Sequence, residues 1–219
     1  MGKSPKEWLK QADYDIKTAE IMFDNKRYIG ITVQSGKKMT YDPDKHHRRS
    51  IRLKEYDYSS AGAYFITICT YNKECIFGNV TNSEMQLSEY GVIVENEWVK
   101  TAEIRSNVII DKYIVMPNHV HGIIIILDTG RDTEHRVPTF EQFGRPTSNS
   151  IPTIIRSFKA VTKKRINEIR KSYGKTVWQP RFYKHIIRNK DELDKIRQYI
   201  IDNPLQWELD KENPDNTKW

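Results

Sequence analysis

Two fragments of the chain hold residue types at a spacing that could do chemistry. The first is Met116-Pro117-Asn118-His119-Val120-His121-Gly122, followed by the isoleucines Ile123 to Ile126. In an extended strand alternate side chains share a face, so His119 and His121 project together, one pleat apart. Two imidazoles on one face of a rigid strand can share a metal ion. The isoleucines that follow are apolar on both faces, the pattern of a central strand. On this fragment alone, two unrelated histidines with hydrogen-bonded partners is the plainer reading. The second fragment is Tyr199-Ile200-Ile201-Asp202-Asn203, within a segment of helical periodicity. Tyr199 and Asn203 are four residues apart, one above the other on a helix face. If that face meets the histidine pair, the amide oxygen of Asn203 becomes a third metal ligand and the phenol of Tyr199 lies beside whatever the metal binds. Asp202 is a weaker alternative ligand.

These fragments need elements to position them. Residues 64–69 are aromatic and β-branched and read as a strand. A helix is expected over 88–104, with Val92, Val94, Trp98 and Val99 among its apolar positions. Strands follow at 108–116 and 119–127, then a loop rich in Gly, Pro, Thr and Ser over 128–149. Residues 151–171 read as a helix with Ile155, Phe158, Thr162, Ile166 and Ile169 on one face. Residues 177–187 look extended. Asn189-Lys190-Asp191-Glu192 is a capping box that opens a last helix, which carries Leu193, Ile196 and Ile200 toward the core and which Pro204 closes. The order β-α-β-β-α-β-α predicts an α+β domain: a ferredoxin-like antiparallel sheet with helices on one face.

Charge is distributed unevenly. The formal net charge is +7 over 219 residues. Between Ser150 and Lys190 twelve basic residues face one acid, Glu168, so that segment carries +11 and the remainder is net −4. A basic block on a folded element points to phosphate contact, against the blander alternative of a solvated helix face. No apolar run reaches the length of a membrane span, and the first residues have no apolar signal-peptide core, so the expected location is cytoplasmic. Cys69 and Cys75 form neither a metal pattern nor a disulfide framework and read as reduced, structural residues.

The leading stretch, residues 4–28, reads as an amphipathic helix opened by Ser4-Pro5-Lys6-Glu7, a capping box with proline at the first helical position. Its Trp8-Leu9-Lys10-Gln11-Ala12 resembles the opening helix of HEPN domains. The later helices of that fold and its Arg-x-x-x-x-His motif have no counterpart, which implies a remnant of such a domain. A polar linker follows with the run Lys45-His46-His47-Arg48-Arg49, whose histidines read as solvent-exposed. The expected organisation is a helical remnant over 1–38, a basic linker over 39–62, a main domain over 63–207 and a tail over 208–219.

The His-Val-His pair followed by a helix bearing Tyr-x-x-x-Asn resembles the signature of single-tyrosine HUH transposases. Flanking segments resemble the REP-associated branch of that family: Lys45-His46-His47-Arg48-Arg49-Ser50-Ile51-Arg52-Leu53, Ala63-Tyr64-Phe65-Ile66-Thr67, Trp178-Gln179-Pro180-Arg181-Phe182-Tyr183-Lys184-His185-Ile186-Ile187-Arg188 and Tyr199-Ile200-Ile201-Asp202-Asn203-Pro204. The likeness spans Lys45 to Trp207, and the HEPN-like leader departs from the pattern. It implies that His119, His121 and Asn203 hold a metal and that Tyr199 is the nucleophile. Tyr183 is a rival nucleophile, disfavoured because it precedes the helix. His185 could contact DNA or merely pack.

The resemblance implies a DNA transposase that cuts and rejoins single-stranded, hairpin-containing DNA through a 5′-phosphotyrosine. Two imidazoles and an amide suit Mg²⁺ or Mn²⁺, with Mn²⁺ the better match to imidazole. Arg156, Lys159, Lys163, Lys164, Arg170, Arg181 and Arg188 are expected to contact the DNA backbone, and Trp178 to stack on unpaired bases or, equally, to lie in the core. No Gly-x-x-x-x-Gly-Lys loop is present, so no nucleotide cofactor is expected. Both a homodimer and a monomer fit the family. Two other functions stay open: a DNA-binding protein without catalysis, and a rolling-circle or relaxase-type nickase, which the small size and absence of a helicase domain disfavour.

Overall fold

A computed structural model of the chain describes residues 56–128, 147–210 and 212–217. The expected leader helix, the Lys45–Arg49 run and nearly all of the expected loop after residue 128 lie outside the described residues. The chain divides after Tyr56, and the elements below belong to the second unit, Asp57–Trp219.

The main sheet has strands β1 (Gly62–Cys69), β4 (Val108–Met116), β5 (His119–Ile126) and β6 (Tyr183–Ile187) in the order β4-β5-β1-β6. All neighbours are antiparallel. Helices α1 (Glu89–Glu103) and α2 (Ile151–Ile169) make the two crossovers, and α3 (Lys190–Asp202) follows β6. This is the expected α+β architecture with ferredoxin-like strand order. A small hairpin, β2 (Gly78–Thr81) and β3 (Glu84–Leu87), precedes α1 and was not anticipated. Its two-residue loop, Asn82-Ser83, has both residues left-handed, at φ 51° and 62°. That is the type I′ geometry for which Asn-Gly is the usual marker, and serine in the second place hid it.

Local chemistry fixes the helix ends. Ser88 Oγ accepts from the Gly91 amide at 3.2 Å and Ser150 Oγ from Thr153 at 3.4 Å. Asn189 Oδ1 accepts from the Glu192 amide at 2.9 Å, half of the expected box. Glu192 does not return to its N-cap; its carboxylate accepts from the Arg188 amide at 2.7 Å and holds His185 Nε2 at 2.7 Å. His185 thus ties β6 to the start of α3.

The helices do not all share one face. Tyr64, Ile66, Ile68, Val120, Gly122 and Ile124 point toward α1 and α2. A Cβ on Gly122 would lie 2.4 Å from Cζ2 of Trp98, so the α1 indole rests directly on the β5 backbone. Trp98 meets Phe158 of α2 edge-on at 5.1 Å, and Phe158 in turn meets Trp178. The opposite face, with Ala63, Phe65, Thr67, His119, His121 and Ile123, is covered by α3 through Ile200, Leu193 and Ile196. Arg197 pins α3 to β4, with Nε and one terminal nitrogen each 2.8 Å from Asp111 Oδ2. Both faces of β5 are therefore buried, as its unbroken apolar run requires.

Candidate active site

β5 presents its histidines opposite β1, His121 against Thr67 and His119 against Cys69. The two rings lie 4.5 Å apart. Each is held at Nδ1: Thr67 Oγ1 is 2.8 Å from that of His121, and Asn118 Oδ1 is 2.9 Å from that of His119. Phe65 stacks on His121 at 5.4 Å, so packing as well as hydrogen bonding fixes that ring.

α3 brings Tyr199 to this pair. Its hydroxyl lies 3.2 Å from His121 Nε2, and its ring stands edge-on to Phe65 at 6.1 Å. The tyrosine keeps 41% of its surface exposed, so a large substrate can reach it. Asn203, at the end of α3, is buried beside both His119 and Tyr199. Its Oδ1 has no partner of hydrogen-bonding geometry among the described residues, and neither does His119 Nε2. Two buried lone pairs left in this way are costly unless something electrophilic sits between them.

A carboxylate completes the group. Past α3 the chain runs through a 3-10 helix, Asn203–Leu209, and returns to the histidines. The ligand atoms of Asp210, His119 and His121 lie within 4.8 Å of one another and could hold a metal ion. Trp207 of the same segment faces His119 at 6.1 Å. Glu212 anchors the return: Lys73 Nζ pairs with it at 3.3 Å, and the Cys69 thiol donates to it at 3.7 Å. Burial and that carboxylate together push the Cys69 thiol well above its usual range.

The electrostatics of the group suit a bound cation. Burial pushes His119 down to about 4, against the pull of Asp210 and Asn203, so its imidazole is neutral at physiological pH and keeps a lone pair. Burial, then Asp210, push the Tyr199 phenol up to about 12, which only partly yields to Asn203. The protein's own groups thus disfavour the phenolate. A divalent ion among the same ligands would reverse that balance.

No family model matches the chain. An uncharacterized protein of Haemophilus influenzae is 41% identical over 176 residues, which is 78% of this chain and 96% of that one. The chain belongs to the family of that protein. Among solved structures, this family member is similar to a REP-associated tyrosine transposase bound to a REP hairpin, at 19% identity and a TM-score of 0.44 over 67% of this chain and 68% of that one. It is also similar to a candidate transposase of Deinococcus radiodurans, at 14% identity and a TM-score of 0.38 over 77% and 96%.

The family member brings His119, His121, Tyr199 and Asn203 together and leaves other expected residues apart. Asp202 is held by Gln198 at 2.9 Å, away from the histidines. Tyr183 packs on Phe65 at 6.2 Å from β6, with β1 between it and His121. Two expected DNA contacts are corrected. Trp178 is buried between Phe77 and Phe158, with Nε1 donating to Thr162 Oγ1 at 2.8 Å, so its faces are closed to bases. Lys159 donates to the carbonyls of Gln179 and Arg181, each at 2.8 Å, and clamps that segment instead of meeting phosphate. Desolvation pushes its ammonium down to about 8. Arg156, Lys164, Arg181 and Arg188 are exposed, and Lys163 and Arg170 are half-buried. Those on α2 lie across the sheet from Tyr199.

Sequence reasoning missed Asp210, Glu212 and Thr67. The first two fall beyond residue 207, where no periodicity or motif marked them. Thr67 carried a signal: it sits in β1 on the face that Phe65 and Ala63 define, where a hydroxyl needs a partner.

Proposed function

We propose that the chain is a metal-dependent tyrosine transposase that cleaves and rejoins single-stranded, hairpin-containing DNA. The observation that carries this reading is the Tyr199 hydroxyl 3.2 Å from His121 Nε2, beside a buried His119 Nε2 with no partner among the described residues. Two fragments far apart in sequence meet as the single-tyrosine HUH resemblance implies. His119, His121 and Asp210, with the Asn203 amide, would hold Mn²⁺ or Mg²⁺. Asp210 adds a hard oxygen donor that suits both. When bound, the ion supplies positive charge for the phosphate and for the ionised phenol.

The chain's own residues do the rest. Tyr199 Oη attacks the phosphorus, the bond to the 3′ oxygen breaks, and the phenol gives up its proton as the leaving 3′ oxygen gains one. The product is a 5′-phosphotyrosine and a free 3′-OH. Attack by another 3′-OH reverses the exchange and joins strands without an external energy source. Phe65 and the His121 ring hold the phenol in place, which restricts it to attack from one side. The exposed cations of α2 bind the backbone. A strand that meets both them and Tyr199 passes the β6 edge, where Arg181 and Arg188 are exposed.

The test is cleavage of a labelled single-stranded hairpin library with Mn²⁺ or Mg²⁺, beside Tyr199→Phe and His119→Ala. A covalent protein–DNA adduct that both substitutions abolish is expected. Binding with no adduct, in either metal and across the library, would replace this reading with a DNA-binding protein that has lost catalysis.

A further inference from the structure

Asn118 lies in the turn between β4 and β5, 1% exposed, and its side chain makes three hydrogen bonds. Nδ2 donates to the carbonyl of Lys73 at 3.1 Å and to that of Glu212 at 2.6 Å. Both targets accept and cannot donate, so the amide orientation is decided: nitrogen faces the carbonyls and Oδ1 faces His119. An oxygen 2.9 Å from Nδ1 of His119 must meet an N–H there, because two lone pairs would repel. The opposite amide orientation would set Oδ1 against two carbonyl oxygens.

We propose that Asn118 is a positioning residue which locks His119 in the Nδ1–H tautomer and thereby aims the Nε2 lone pair into the site. Its purpose rests on the metal reading above; the tautomer itself does not. Free histidine in water prefers the Nε2–H form, so the protein holds the minority form before any ion arrives. A ligand fixed in this way binds without first exchanging a proton between its nitrogens. The Glu212 carbonyl makes the arrangement two-ended. One amide joins His119 to the segment that also delivers Asp210, so both donors are set by the same three bonds.

The experiment uses the full metal-free chain with ¹⁵N-labelled histidine, and reads the ring-nitrogen shifts of His119, identified against His119→Gln. Protonated Nδ1 and bare Nε2 are expected in the wild type; an Nε2–H signal overturns the proposal without any variant. Asn118→Asp keeps the acceptor toward His119 and should retain the Nδ1–H form, but its second oxygen meets the Lys73 and Glu212 carbonyls, so its melt should fall. Asn118→Ala should lose the preference and weaken Mn²⁺ by about tenfold in calorimetry. An Asn118→Ala chain that melts like the wild type and still shows Nδ1–H refutes the role. If that variant does not fold, the wild-type ring-nitrogen shifts decide. A wild type that shows Nδ1–H yet takes up neither Mn²⁺ nor Mg²⁺ sinks the metal reading and leaves the tautomer assignment standing.

Discussion

The two faces of the central sheet are built under different constraints. On the α3 face, the polar groups are each fixed by a neighbour: the buried His121 by Thr67 and His119 by Asn118, and the more exposed Tyr199 by His121 and Phe65. On the other face the interior is sealed by aromatic rings, Trp98, Phe158 and Trp178, and the cations stand outside. The first face depends on atoms placed to a few tenths of an ångström. The second depends on volume inside and on summed charge outside. Substitutions should therefore fail sharply on one face, and on the other should fail only where packing is tight.

The sharpest contrast comes from a single oxygen. Tyr199→Phe keeps the ring against Phe65 and removes the hydroxyl. Adduct formation should fall by on the order of 10³ or more, with the thermal melt unchanged. A gel assay for covalent DNA, run beside circular dichroism, reads both. A residual adduct within tenfold of the wild type would move the nucleophile elsewhere, with Tyr183 next in line.

The buried His119 gives the same face a pH signature. Its folded value of about 4 lies below the 6.5 expected when unfolded. As pH falls through that window the unfolded chain takes up the proton first, so stability drops from pH 6.5 toward 4 and levels off below. The loss from this group is about 3 kcal/mol at the outside. Urea midpoints of the metal-free chain against pH, compared with His119→Gln, isolate it. An unchanged slope in the variant would show that His119 is not the titrating group. Bound metal should steepen the fall, since its ligands must stay deprotonated.

On the opposite face Gly122→Ala sets a methyl into the Trp98 ring. With the Cβ at 2.4 Å from Cζ2 the indole must shift, at a cost of about 2 kcal/mol. Denaturant midpoints measure this. His121 adjoins that position and points to the other side of the strand, so a loss confined to stability, with adduct chemistry per folded molecule intact, would show that the faces act independently.

Much of this contrast can be read before folding, for reasons that differ by element. Alternation along β5 places His119 and His121 together because the pleat has period two, and Ile123 to Ile126 mark the strand as central. The last helix is legible from its capping box and from Leu193, Ile196 and Ile200. What could not be read is anything that depends on contact between distant segments. Tyr199 meets His121 only because Arg197 finds Asp111 and Ile200 finds Phe65. Asp210 belongs to a segment without periodicity, whose position is set by Glu212 finding Lys73 and Asn118. Lys159 misled, and Trp178 could not be decided, for the same reason: composition counts a cation or an aromatic ring, but not the carbonyls or the hydroxyl waiting to bury it.

The exposed cations of α2 should give the smallest effect and the most graded one. Lys164 has Glu168 at 3.9 Å, an exposed pair of little energetic weight, and Arg156 is open to solvent. If each neutralises one phosphate, Arg156→Gln and Lys164→Gln should each lower the slope of log affinity against log salt by about one, equally for all DNA sequences. Fluorescence anisotropy over a salt series reads this directly. Lys159→Gln should leave the slope unchanged, because its ammonium already serves Gln179 and Arg181, and should lower stability instead. The three lysine and arginine variants thus divide the basic helix. A slope that falls equally in all three would mean that DNA pulls Lys159 out of its clamp, and that the α2 surface rearranges on binding.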